Sequence, residues 1–123
     1  MAEKNSSVNE IVRVRESRSV RRAIALAADM AVRAEAAWAQ VVYAAAALDG
    51  GLPGVAREAA SAKVVAIEAA RENAASNIQI HGGMGFTDEH DAHLYMRRAH
   101  VYELSLGGRR PHLAVVLDNE PQW

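Results

Sequence analysis

No cysteine occurs among the 123 residues, which excludes a disulfide framework, a thiolate metal site and a thiol nucleophile. Aromatic residues make up 5% of the chain, so the side chains that favour strands are scarce. Neither sign of charge dominates: 14 Lys and Arg stand against 15 Asp and Glu, for a formal net charge of −1. That balance provides no field for phosphate backbones or anionic lipid, and no nucleic-acid partner is expected. Long hydrophobic runs are missing too. The alanine-rich stretch after residue 22 is interrupted by Asp29, Arg33, Glu35 and Gln40, each costly in hydrocarbon, so no membrane span is expected. Met1 to Ser19 is polar and mixed in charge, without the apolar core and cleavage site of a secretory signal, and the expected compartment is the cytoplasm.

What is abundant is alanine, 26 residues of 123, the best helix former. The expected fold is all-α, an antiparallel up-down helical bundle. Residues 1–18 combine charges and small polar residues around Ile11, Val12 and Val14 without a sustained period, and read as a polar N-terminal arm. From residue 19 the apolar positions Ile24, Ala27, Ala31, Ala34, Trp38, Val41, Ala45 and Leu48 alternate by three and four, which predicts a helix over 19–48 with one stripe aimed at a partner helix. Gly50, Gly51, Pro53 and Gly54 stop it and start the next. A second helix over 54–79 carries a stripe of small residues from Val55 and Ala59 through Ala69 and Ser76 to Ile80, suited to close helix packing. Thr87, Asp88 and Glu89 supply a cap and first-turn acids for a third helix over 88–106. Gly107 and Gly108 end that helix, and a short segment over 111–117 precedes a polar tail at 118–123.

The segment between the second and third helices, Gln79-Ile-His-Gly-Gly-Met-Gly-Phe86, holds three glycines within four positions. Backbone without Cβ atoms can take positive φ and approach a ligand, or can simply make a sharp turn; the pattern alone admits both. His90, His93 and His100, with Glu89, have spacings that would put metal-capable groups on one helix face, but no second helix supplies a further ligand and no metal is expected. Arg97 and Arg98 read as surface ion-pair partners, with Asp91 and Glu103 nearby, and Trp38 as a core or interface anchor.

Over about 90 residues the chain resembles the C-terminal helical domain of the acyl-CoA dehydrogenases. The likeness runs from Ala28-Asp29-Met30 through Tyr43-Ala44-Ala45 and Ala62-Lys63 to Gln79-Ile-His-Gly-Gly-Met-Gly-Phe86 and Leu94-Tyr-Met-Arg-Arg-Ala99. The resemblance implies an FAD-dependent enzyme that desaturates acyl-CoA thioesters at the α,β position. It also implies that Gln79, Gly82 and Gly83 contact the adenosine pyrophosphate of an FAD held mainly by a neighbouring subunit, with His81 either at the flavin or packed under the turn. Many members draw the substrate α-proton with a glutamate nine residues beyond the arginine matched by Arg97, and here that position is Leu106. Leucine accepts no proton. Glu103, one turn earlier, reads better as a surface carboxylate than as a base, so no catalytic residue is assigned. The family's other two domains and the first helix of its C-terminal domain have no counterpart in these residues. The expected partners are therefore further copies of this chain, in a homo-oligomer such as a tetramer, or the remaining domains of an acyl-CoA dehydrogenase, through which alone acyl-CoA would be reached. A non-catalytic helical oligomerisation module derived from the family is the alternative.

Overall fold

Between Ala2 and Asp49 the chain contains neither glycine nor proline, and this whole stretch forms one helix, α1 (Ala2–Asp49). The computed structural model describes residues 2–82 and 91–118, with side chains from Ser7 onward. The other described elements are α2 (Val55–His81), α3 (Ala92–Leu104) and α4 (Arg109–Leu117). The all-α expectation holds. Residues 2–18, expected as an arm, continue α1, and from Ser7 to Arg22 every side chain is exposed. At about 1.5 Å per residue, α1 overhangs its neighbour by several turns.

Glycine ends α1. The N–H of Gly51 donates to the Leu48 carbonyl at 3.1 Å and that of Leu52 to the Ala47 carbonyl at 2.9 Å, with Gly51 left-handed at φ 61°, a Schellman arrangement that satisfies carbonyls otherwise orphaned at the helix end. The chain then reverses through residues 50–54 into α2, whose first turn is closed by the Arg57 and Glu58 N–H groups on the Gly54 carbonyl.

Helix α2 packs against each of the other three. Its small-residue stripe faces them as expected, with Ala62, Ala69 and Ser76 buried. Among the described residues the buried apolar set is thin: seven alanines joined by Ile67 and Ile78, with no large side chain fully enclosed. At so little area per residue, apolar burial within this chain stabilises weakly. Polar contacts set the register instead. Arg33 of α1 pairs with Glu72 at 2.6 Å and its Nη1 donates to Asn73 at 3.3 Å and Ser76 at 3.4 Å. The Asn73 amide donates to the Met30 carbonyl at 2.9 Å, and Gln40 donates to Glu58 at 3.2 Å.

The stripe read from sequence as the partner-facing side of α1 is not the side that packs within the chain. Ile24, Ala27, Ala31, Ala34, Trp38, Val41, Ala45 and Leu48 are all exposed. Packing falls on Leu26, Met30, Arg33, Ala37, Gln40, Ala44 and Ala47, which repeat with the same three-four spacing. Small side chains let α1 approach α2 closely, and the two polar residues on this face meet their partners there.

Helix α3 is tied to α2 by Lys63, whose ammonium donates to the Tyr102 carbonyl at 2.6 Å and the Ser105 carbonyl at 2.7 Å, a positive charge at the negative end of a helix. Arg71 pairs with Glu103 at 3.8 Å, and Arg109 at the start of α4 with Glu68 at 3.7 Å.

Candidate functional site

Two features of this frame can meet a ligand: the end of α2 and the groove beside it. Helix α2 runs on through Gln79 to His81, and Gly82 follows with φ 60° and ψ −145°, its N–H donating to the Gln79 carbonyl. A side chain at Gly82 would be strained by that φ, while no atom of the described residues comes within 4 Å of where its Cβ would stand. Gln79 and Gly82 are both exposed, so an amide side chain and a bare stretch of backbone are presented together. Gly83, the third residue assigned from sequence, lies outside the described residues, as do Met84 to His90.

Electrostatics limit what this end can hold. The C-terminus of a helix carries a partial negative charge, so α2 does not itself attract a pyrophosphate. Its carboxamide and exposed backbone suit the hydrogen-bonding edge of a neutral polar group better than an anion.

His81 is exposed, and its Nδ1 donates to the Asn77 carbonyl at 2.8 Å, drawing the ring back along its own helix. His100 behaves alike, with its Nδ1 at 2.8 Å from the Met96 carbonyl. Among the described residues no group of three His, Asp or Glu side chains is placed to hold a metal ion.

Beside α2 lies a largely apolar groove of about 400 Å³, walled by Met30 of α1 and by Tyr95, Arg98 and Tyr102 of α3, with Ala74 and Asn77 on its floor. Nothing in the linear periodicity signals it, since it arises from two helices flanking a third. Arg98 borders this groove, and Arg97 is exposed beside it.

Among the described residues, no carboxylate lines the groove. Glu103 pairs with Arg71 at 3.8 Å, with its side chain 24% exposed, a partly exposed carboxylate in an ion pair. Leu106 is 92% exposed and left-handed at φ 59°. Sequence reasoning placed Lys63 in the family likeness but missed its hold on the end of α3, which depends on contacts 39 and 42 residues away. Among the described residues, no helix is long and apolar enough to cross a membrane.

The chain matches the family described as "Acyl-CoA dehydrogenase, C-terminal domain" over residues 13–118. It is 49% identical over 86 residues to acyl-CoA dehydrogenase FadE34 of Mycobacterium tuberculosis (strain ATCC 25618 / H37Rv), covering 68% of this chain and 12% of that protein. It is 55% identical over 42 residues to acyl-CoA dehydrogenase IpdE2 of the same organism, covering 34% of this chain and 13% of the relative. The chain thus spans only a small part of the length of both relatives. No solved structure matches it.

Proposed function

The chain belongs to the acyl-CoA dehydrogenase family, whose C-terminal domain it carries, and from that premise we propose that it acts as the C-terminal helical part of an FAD-dependent acyl-CoA dehydrogenase. In this role Gln79, Gly82 and Gly83 contribute to the FAD site of a neighbouring subunit, and the helices serve oligomer assembly. The end of α2 carries the reading: an exposed carboxamide beside left-handed backbone at Gly82, unobstructed by any described residue, fits the nucleoside side of a large cofactor. When bound, FAD accepts the electrons of α,β-desaturation. The tasks of this chain's residues are to hydrogen-bond the cofactor through Gln79 and to leave room for it at Gly82.

No catalytic base is assigned. Glu103 is engaged by Arg71 and Leu106 has no acid-base chemistry, so proton abstraction and acyl-CoA binding belong to partner domains, and the isolated chain is inactive. The expected compartment of such an enzyme is the cytoplasm.

The test is complementation. FadE34 lacking the segment this chain matches is mixed with the full chain, and retained flavin is followed by its visible absorbance through gel filtration. Added chain is expected to raise flavin retention, and Gln79→Ala to reduce that gain about tenfold, as loss of a hydrogen bond to a cofactor allows. A complex that forms without altering flavin retention overturns the proposed site. That outcome would favour a non-catalytic assembly module, a reading that Leu106 at the family's base position already favours.

A further inference from the structure

The groove beside α2 has no task in the cofactor reading, since neither Gln79 nor Gly82 lines it. We propose that it is a binding site for a planar aromatic carboxylate, whose ring lies between the two tyrosines and Met30 and whose carboxylate sits on Arg98. The proposal goes beyond the cofactor site and does not depend on it.

The polar groups of the groove give the charge of the ligand. Asn73 is already committed, donating to the Met30 carbonyl and accepting from Arg33. The Arg98 guanidinium, the Asn77 amide and the phenols of Tyr95 and Tyr102 also line the groove, and among the described residues none of these side chains has a hydrogen-bond or ion-pair partner. A guanidinium can only donate, and amide and phenol groups can donate as well. With no carboxylate among the described lining residues, the groups free to bind here call for a ligand rich in acceptors and negative in charge. Arg98 is the single cation among those lining residues. Its planar fork matches a carboxylate through two parallel hydrogen bonds, so one monoanion satisfies it.

The apolar walls give the shape. Tyr95 and Tyr102 lie three residues before and four residues after Arg98, which puts all three on one side of α3 and spaces the two rings by about 10 Å along the helix. These tyrosines are 59% and 53% exposed, a large aromatic area presented to a concave surface. Met30 stands on the opposite wall, and its thioether makes favourable contacts with aromatic rings. Ala70 and Ala74 form part of the floor, where small side chains leave the depth that a flat ring needs. The groove volume of about 400 Å³ falls within the roughly 300 to 1,000 Å³ of small-molecule sites and gives room for two fused rings. An alkyl chain would cover the same apolar area without the ring contacts that the tyrosines offer.

Both walls are held in place before any ligand arrives. Asn73 ties the backbone of Met30 to α2 at 2.9 Å, and Lys63 grips the Tyr102 carbonyl at 2.6 Å. Binding therefore orders little of the chain, and the contacts made are not spent on closing the groove.

The probe is 2-naphthoate, titrated into the full chain by calorimetry. The expected result is one site per chain with a Kd of about 100 μM. Arg98→Gln, at an exposed position, is expected to weaken binding at least about tenfold with helix content unchanged. Tyr102→Leu, which keeps every charge, serves as the second variant and is expected to weaken it about threefold. Arg97→Gln, exposed and not part of the lining, should leave the affinity as it was. Two further ligands separate charge from ring: 2-naphthylmethanol lacks the anion and octanoate lacks the ring, and each is expected to bind about tenfold more weakly than 2-naphthoate. The proposal is overturned by the absence of saturable binding up to about 1 mM, by an affinity indifferent to both Arg98→Gln and Tyr102→Leu, or by octanoate binding as tightly as 2-naphthoate. Loss of binding in Trp38→Ser overturns it too, because the ring would then lie on the outer face of α1.

Discussion

Helix α1 carries two stripes with the same three-four spacing and opposite fates. One, from Leu26 to Ala47, lies against α2 and contains Arg33 and Gln40; the other, from Ile24 to Leu48, is richer in large apolar side chains and is exposed. The more hydrophobic face is the one left outside. Hydrophobic area alone would have chosen the reverse, so specific contacts decide the pairing: Arg33 with Glu72, Asn73 and Ser76, and Asn73 with the Met30 carbonyl. Alanine around these groups allows the close approach that brings them within reach. Internal packing is thus set by shape and polar match, and the larger apolar surface stays available to a partner.

The largest effect separates the two stripes directly. Ala47 is 2% exposed and forms part of the turn that ends α1, so Ala47→Glu buries an unpaired carboxylate and is expected to cost about 3 kcal/mol or more. Ala45→Glu, two residues away on the outer stripe, should change monomer stability by less than about 0.5 kcal/mol. Urea unfolding at concentrations too low for association checks the pair, and equal losses at both positions would mean that the outer face packs within the monomer.

A smaller effect asks whether polar contacts hold the inner stripe. Asn73→Leu keeps the branching of the side chain but removes the amide that donates to the Met30 carbonyl and accepts from Arg33. The expected loss is about 2 kcal/mol, because the Arg33 guanidinium loses an acceptor and the Met30 carbonyl keeps only its helical donor. If the variant is as stable as the parent, apolar contact outweighs these hydrogen bonds in holding α1 to α2.

Much of this frame was legible in the sequence, for local reasons. Gly50 and Gly51 ended the first helix where a left-handed residue was needed, and the alternation from Val55 to Ile80 identified the central helix with its inward side. Spacing could not tell which stripe of α1 packs in the chain, because periodicity reports that a face is buried without saying against what. Nor could it extend the helix back to Ala2, where the mixed polar composition has no period yet contains nothing that stops a helix. At the candidate site Gln79 and Gly82 fall together at the end of α2 because they are near neighbours in sequence. The groove beside them and the reach of Lys63 to the end of α3 depend on tertiary placement, which a linear pattern does not encode.

Lys63 extends the comparison to α2, where one long cation interrupts a face of small residues. Lys63→Met keeps most of the aliphatic stem and removes the charge that meets the Tyr102 and Ser105 carbonyls. The expected cost is about 1 kcal/mol, felt mainly as faster amide exchange over the last turn of α3. Uniform exchange changes along α1 and α3 would mean that Lys63 supports the bundle as a whole rather than one helix end.

Leu106 gives the smallest effect and tests whether every exposed apolar residue here awaits a partner. It is 92% exposed, more than any large apolar residue of the outer α1 stripe, but it stands at φ 59° in the turn before α4. That conformation crowds its Cβ against the backbone, a strain that asparagine tolerates better. Leu106→Asn is therefore expected to stabilise the chain by about 0.5 kcal/mol, read as a small rise in the urea midpoint, and to leave self-association unchanged. A stabilised chain with intact assembly would make Leu106 a turn residue whose exposure carries no binding role. Weaker self-association would instead place the α3 to α4 turn in the interface, so that exposure alone could no longer distinguish the outer face of α1 from the rest of the surface.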